Sequence, residues 1–343
     1  MTDRPSRILV TGGAGFIGSH IVEALAEANV EVVVLDSLVA AAVEPAQLPD
    51  GVELVVGDVR DPEAWRRAAE GCDAVCHQAA RVGLGVDFGD VRDYVDDNDL
   101  GTAAGLLVLH ELGFDGRIVL ASSMVVYGEG LSRCVEHGLV SPPPRLRADV
   151  DAGRFEPLCP VCGAELSPED VSEDVPTDPR NVYAATKLHQ EHLTAVFGRD
   201  HDVPVTSLRY HNVYGPRLPA DTPYAGVAAI FRSSVRRGEP PRVFEDGGQR
   251  RDFVHVRDVA RANVAALLAE QPYVGPLNVA SGTPRTVLDL ARAVAEPAGL
   301  EPEVVGGGRL GDVRHIVASP RRAAETIGFR AVEDFDPNDI DRG

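Results

Sequence analysis

The chain has 343 residues, 44% of them apolar, which is enough to bury the core of one large α/β domain or two smaller lobes. A formal charge of -20, with no basic cluster to reverse it locally, argues against nucleic acid or an anionic membrane surface as a partner. No signal-peptide core and no apolar run of membrane-spanning length occur, so a cytoplasmic protein is expected, whose five cysteines point to thiols or metal ligands before disulfides.

The first element, "RILVTGGAGFIGSH", runs from an apolar strand (Ile8, Leu9, Val10) through a glycine turn into a helix with apolar residues at Phe16, Ile17, Ile21, Val22 and Leu25. Gly12, Gly15 and Gly18 allow a tight turn, close approach of backbone to a pyrophosphate, and close packing of helix on strand. The helix N-terminus, with the amides of Phe16, Ile17 and Gly18, offers free N–H groups to phosphate oxygens. A second strand, "EVVVLD", ends in Asp36, eighteen residues after Gly18, where a carboxylate accepts from ribose hydroxyls and repels a 2'-phosphate; NAD is therefore expected over NADP. A third strand, "VELVVGD", ends in Asp58, suited to the adenine amino group with Val59 beside it; the alternative is that Asp58 caps the helix starting near Pro62. A fourth, "AVCHQAA", carries Ala79 and Ala80 to the cofactor's edge.

Next come "DFGDVRDYVDDND", with six aspartates between 87 and 99 that suit a solvated helix start, and "LGTAAGLLVLHELG", which fits a helix buried on two sides. With "RIVLASS" as a fifth strand, the alternation predicts a parallel sheet covered by helices on both faces, the doubly wound α/β class. Cys72 and Cys76, in or beside the fourth strand, read as core thiols.

After the fifth strand, Cys134-x-x-His137 and Cys159-x-x-Cys162 form two short knuckles able to close a tetrahedral zinc site. The proline-rich stretch between them is too poor in apolar residues to build its own core, so the metal would act as its staple. Four protein ligands leave no open position, so the role expected is structural. The alternatives, a redox pair or an incidental pair in a loop, stay open, although a redox Cys-x-x-Cys normally opens a helix after a strand.

Of the 33 basic residues, Lys187 is the single lysine. It lies four residues after Tyr183 in "NVYAATKLHQ", so both side chains occupy one helical face. An ammonium there is expected to favour the phenolate and to hydrogen-bond a ribose hydroxyl, which the larger planar guanidinium of arginine does not replace. Ser123, at the carboxyl end of the fifth strand, would sit beside the nicotinamide.

These stretches, with "HQAA", "NDLGT", "ASSMVVYG", "LRYHNVYGPR", "GGQRRDFVHVRDVA", "NVASG" and "RLGDVRHIVASPRRA", resemble the extended short-chain dehydrogenase/reductase family, in particular its nucleotide-sugar epimerase, dehydratase and decarboxylase branch, over nearly the whole length. The resemblance implies Tyr183 as acid/base, Lys187 as its tuner and ribose ligand, Ser123 bonded to the reacting C4 oxygen, and Asn98 beside the active site and cofactor. It further implies Asn212, Arg251 and Arg309 on the substrate diphosphate, Asp312 on the nucleotide ribose, and a homodimer. Two arginines and an amide can concentrate positive potential on a diphosphate in an acidic protein. Set against the family, residues 129–172 are an insertion, serving as a lid or a partner surface. The expected organisation is a cofactor domain over 1–210 and a substrate lobe over 211–343, with roughly 255–271 returning to the former. His211 stands where the family usually has an aromatic residue and is taken as structural. Met124 and Val125 occupy positions where dehydratases carry an Asp-Glu pair and decarboxylases place a glutamate second, which leaves 4-epimerisation through a 4-keto sugar as the expected reaction. A nucleotide-sugar 4-ketoreductase, dehydratase or decarboxylase of the same family, or a non-catalytic NAD-sensing protein, are the alternatives. Ile316, intermediate in bulk at a position that gates N-acetylated sugars in the family, leans toward a sugar without the acetamido group.

Overall fold

In a computed structural model, residues 4–83, 88–219, 226–308 and 312–341 are described. In chain order the elements are β1 (Arg7–Thr11), α1 (Phe16–Glu27), β2 (Glu31–Asp36), β3 (Glu53–Val56), α2 (Pro62–Ala69), β4 (Ala74–His77), α3 (Val91–Tyr94), α4 (Gly101–Glu111) and β5 (Arg117–Ser123). The insertion follows with β6 (Leu131–Cys134), β7 (Gly138–Val140), α5 (Arg147–Asp151) and β8 (Ser167–Glu169), and then α6 (Val182–His201), β9 (Val205–Tyr210) and β10 (Asn212–Tyr214). The remainder comprises α7 (Val227–Arg236), β11 (Arg242–Phe244), β12 (Arg250–His255), α8 (Val256–Leu268), β13 (Gly275–Val279), β14 (Pro284–Thr286), α9 (Val287–Ala295), β15 (Glu303–Gly306), β16 (His315–Ile316) and α10 (Arg321–Thr326). No described helix is long and apolar enough to cross a membrane.

Seven strands form one parallel sheet in the order β13-β9-β5-β4-β1-β2-β3. Successive residues of a strand point to opposite faces, so a strand that is apolar throughout needs cover on both. Strand β1 shows this: Ile8 and Val10 join α1 and α8 residues such as Ile21, Leu25 and Val259 in one core, while Leu9 joins Trp65, Val108 and Phe197 from α2, α4 and α6 in the other. The chain builds outward from β1 to β3, then restarts at β4 on the other side. The carboxyl ends of β1 and β4 therefore flank the crevice where ligands of such sheets bind. The expected doubly wound class is the one observed. Helix α8 covers most of the stretch expected to return to this domain, and the chain continues into β13, the seventh strand.

The smaller lobe is a mixed sheet in which β12 pairs with β10, β14 and β16, closed by α7 and α9 over Tyr214, Phe231, Phe253 and Leu290. The insertion is a three-stranded antiparallel sheet, β7-β6-β8, whose private core is little more than Cys134, Cys159 and Leu166. Cys72 and Cys76 are buried in the main cores, and burial raises both thiols, Cys72 to about 11 and Cys76 to about 12. Both are neutral packing groups at physiological pH.

Candidate functional site

Backbone geometry dictates the glycines of the first turn. Gly12 adopts φ +67°, and a Cβ there would lie 2.9 Å from the backbone of Ala79; a Cβ on Gly18 would lie 2.0 Å from the Gly12 carbonyl oxygen. Gly15 is the N-cap of α1 and supplies no side chain, so the first-turn amides of Phe16, Ile17 and Gly18 have no capping side chain. An uncapped helix N-terminus behind a glycine cradle fits a dinucleotide pyrophosphate. Asp36 is 8% exposed at the end of β2. Its oxygens accept from the Ala14 N–H at 2.9 Å and the Leu38 N–H at 2.8 Å, which fixes the carboxylate beside the turn while each oxygen retains acceptor capacity for a ribose hydroxyl.

Asp58 is more occupied than its expected role implies. Arg60 donates to it from its backbone N at 2.8 Å and from Nε at 2.9 Å, and this pairing lowers the acid's pKa. An adenine amino group would have to share the carboxylate with that guanidinium. The cap of α2 falls to Asp61, which accepts from the Glu63 N–H at 3.0 Å, so the capping alternative for Asp58 is not realised. The Val59 carbonyl accepts from Trp65 Nε1 at 2.7 Å. Half-buried Ala79 and Ala80 leave the end of β4, the Ala79 N–H donating to Thr11 Oγ1 at 3.1 Å.

Asn98 lies in a π-helical turn, Val95–Leu100, of the kind that often marks functional positions. It is fully buried; Oδ1 accepts from the Arg81 N–H at 2.7 Å, and Nδ2 donates to the Arg81 carbonyl at 3.1 Å and Thr186 Oγ1 at 2.9 Å. Both amide hydrogens are thus engaged, and Asn98 ties the exit of β4 to α6.

Helix α6 starts at Asn181, whose Oδ1 accepts from the Ala184 N–H at 2.8 Å, and so Tyr183 falls in the first turn and Lys187 one turn later. Ser123 closes β5, near enough to Tyr183 for its hydroxyl to favour the phenolate. Half-buried Tyr183, whose ring centre lies 6.1 Å from that of Tyr94, is pushed up to about 12 by burial, with the Ser123 hydroxyl opposing. The expected lowering of the phenol by Lys187 is therefore not seen. The ammonium, 2% exposed, donates to the Ala121 carbonyl at 2.9 Å, and burial pulls its own pKa down to about 7 against the opposing charges of Asp99 and Glu191.

Behind the site is a network that the sequence reading missed. Ser122 donates to Glu191, which Arg209 holds from Nε at 2.9 Å and Nη2 at 2.7 Å. Glu191 follows Lys187 by one helical turn, the spacing that could have exposed it.

Of the residues expected to hold substrate, Asn212 has its Nδ2 3.4 Å from the Met124 sulfur and 3.3 Å from the Asp252 carbonyl, and so bridges the two lobes just beyond Ser123. Arg251 donates from Nη1 to the carbonyls of Arg250 (2.9 Å) and Arg314 (3.0 Å) and from Nη2 to that of Val313 (2.6 Å). Burial pulls it down to about 10, with Asp312, Glu129 and Glu245 opposing, so it remains a cation at neutral pH. Arg309 lies outside the described residues. His211 is 3% exposed and burial pulls it down to about 4, a neutral imidazole in the interior. Ile316 packs in a buried cluster with Val126, Tyr127, Val171 and Val175.

The insertion gathers its four expected ligands: one ligand atom each from Cys134, His137, Cys159 and Cys162 lie within 4.8 Å of one another. Cys134 Sγ lies 3.5 Å from His137 Nδ1 and 3.6 Å from Cys162 Sγ, and Cys159 Sγ lies 3.6 Å from His137 Nδ1. These three of the six separations are near the edge length of a tetrahedron with bonds of ~2.0–2.3 Å, the lengths zinc takes to nitrogen and sulfur, and all three cysteines are free thiols. Turns fix the second knuckle, Cys159 N–H donating to the Ala164 carbonyl at 2.8 Å and Gly163 N–H to that of Cys159 at 2.9 Å.

The description of the NAD dependent epimerase/dehydratase family matches residues 8–146 and 159–280, and the break falls inside the insertion. A dTDP-L-rhamnose 4-epimerase from Burkholderia thailandensis is 35% identical over 333 residues, covering 94% of this chain and 90% of that protein. A putative UDP-glucose 4-epimerase from Methanocaldococcus jannaschii is 30% identical, covering 94% and 92%. Among solved structures, the Thermus thermophilus UDP-glucose 4-epimerase in complex with NAD superposes with a TM-score of 0.75 at 34% identity, covering 96% of each chain. Matched over residues 8–146 and 159–280 and, in structure, over 96% of its length, the chain belongs to the NAD dependent epimerase/dehydratase family, within the extended short-chain dehydrogenases/reductases.

Proposed function

We propose that the protein is an NAD-dependent nucleotide-sugar 4-epimerase. The observation that carries this reading is the proximity of Ser123, at the end of β5, to Tyr183, with Lys187 on the same helix face as the phenol and with Ser123 followed directly by Met124 and Val125, which cannot transfer protons. Residues able to eliminate water across C5 and C6, or to assist decarboxylation, are missing from those two positions.

Bound NAD would accept the C4 hydride and return it, and its positive charge beside the phenol would favour the phenolate. Gly12, Gly15, Gly18 and the first-turn amides would hold its pyrophosphate, and Asp36 its ribose, an arrangement that supports NAD over NADP. Ser123 would hold the C4 oxygen, and Tyr183 would take and give back the hydroxyl proton. Lys187, oriented by Ala121, would stabilise the phenolate at the moment it forms. Asn212 and Arg251, with Arg309, would grip the diphosphate, and Asp312 the nucleotide ribose, so that the 4-keto sugar rotates and accepts the hydride on its other face. Structural zinc in the Cys134, His137, Cys159, Cys162 set is part of this reading. A homodimer is supported by Leu100, Leu107 and Val196, apolar residues of the neighbourhood of α4 and α6 that are 51%, 52% and 47% exposed in the single chain.

The test is to incubate the protein, without added cofactor, with dTDP- and UDP-linked hexoses in deuterated water and read the products by NMR. dTDP-L-rhamnose and UDP-glucose, named by the relatives, come first. Interconversion at C4 with no carbon-bound deuterium is expected. Deuterium at C5 or C6, carbon dioxide release, or a strict need for NADPH would overturn the reading.

A further inference from the structure

The insertion is docked onto the smaller lobe by buried and half-buried ion pairs. Arg145 Nη1 lies 2.7 Å from Glu245 Oε1, while Glu156 receives Arg314 at 2.6 Å and faces His315 at 2.8 Å. Arg145 Nη2 also donates to the Asp312 carbonyl at 2.6 Å. Arg251 donates to the next two carbonyls, those of Val313 and Arg314. Guanidinium groups from two distant parts of the chain thus hang on consecutive carbonyls of one segment, close enough that Arg145 weakens the protonation of Arg251.

Arg145 is incompletely satisfied in this position. Its side chain is 5% exposed, yet its Nε–H is buried with no acceptor among the described residues. A buried guanidinium N–H without an acceptor is costly, and it is tolerated where a ligand completes the bond. Glu245 does not neutralise Arg145 by itself, because its other oxygen is taken by Arg314 at 2.8 Å. We propose that Arg145 is a substrate-binding residue supplied by the insertion, its Nε–H donating to a diphosphate oxygen beside Arg251. Paired planar guanidiniums are well matched to phosphate oxygens. The proposal rests on the nucleotide-sugar reading above and adds to it that the insertion is a wall of the substrate site.

The experiment compares the wild type with Arg145→Met, both loaded with NAD, in calorimetric titrations with UDP and dTDP and NMR titrations with uridine and thymidine. Expected is a loss of tenfold or more in affinity for the nucleoside diphosphate that the wild type prefers, with nucleoside binding, NAD content and zinc content unchanged. KM for the nucleotide sugar should rise by a similar factor while kcat stays within about threefold. Equal diphosphate affinity in the two proteins, or equal losses for diphosphate and nucleoside, would overturn the assignment of Arg145. A wild type that binds neither diphosphate would instead sink the nucleotide-sugar reading itself. Should Arg145→Met not fold, Arg145→Lys, which keeps the charge but not the fork, carries the same comparison with the same decisive outcomes.

Discussion

Replacing Lys187 by methionine should raise the stability of the protein while abolishing turnover. Burial lowers the ammonium from 10.5 to about 7. At ~1.4 kcal/mol per unit, its protonation works against folding by about 5 kcal/mol wherever both states are protonated. The sign is fixed by which state holds the proton. Below pH 7 folded and unfolded chains both carry it and the full penalty applies; between about 7 and 10.5 the unfolded chain holds more protons, so stability rises with pH. Methionine removes the penalty but strands the Ala121 carbonyl, which now accepts from Nζ at 2.9 Å. That loss costs about 1–3 kcal/mol, which leaves a net gain of about 2–4 kcal/mol at pH 7. The assay is urea unfolding of wild type and Lys187→Met at several pH values from 6 to 10. The wild-type curve should climb toward the variant's as pH rises, at up to about 1.4 kcal/mol per unit. Parallel curves, or a variant less stable at pH 7, would refute the placement of a destabilised buried ammonium beside Tyr183.

Tyr183→Phe should retain bound NAD and lower kcat by about 10²–10⁴-fold, as expected when a general acid/base is removed; retention of turnover would assign the proton transfer elsewhere. Asp36→Ala should weaken NAD by tenfold or more, read by titration of the cofactor-stripped protein, and narrow its preference over NADP; an unchanged preference would mean that the carboxylate does not read the ribose. Metal analysis should return about one zinc per chain, falling well below that in Cys162→Ser while NAD content is kept. Leu107→Glu should shift the sedimenting species from dimer toward monomer, and an unchanged dimer would move the interface off α4.

How much the sequence revealed depends on how far apart the interacting groups lie along the chain. The glycine turn was readable because one stretch of about a dozen residues contains the strand, the turn and the helix, and Gly18 has to meet Gly12 within it. Lys187 was readable because Tyr183 is one turn away, and the two knuckles because each pair of ligands is separated by two residues. The charge states were not readable. The lysine is lowered, and the phenol raised, by burial that depends on the whole fold, so a spacing that predicts an acidified tyrosine meets a structure that gives about 12. The docking of the insertion was equally hidden, since Arg145 meets Glu245 and Glu156 meets Arg314 across 100 and 158 residues of chain. In the sequence these are ordinary members of a chain with 53 acidic residues, and no local pattern separates them from surface charges. What distinguishes them is burial: an ion pair 5% and 2% exposed must be matched atom by atom, and the one Arg145 nitrogen left unmatched becomes informative only once its surroundings are known. The Tyr183–Lys187 half of the proposed C4 chemistry is therefore written within one helical turn, whereas the proposed selection of what reaches it would rest on residues that only the folded chain brings together.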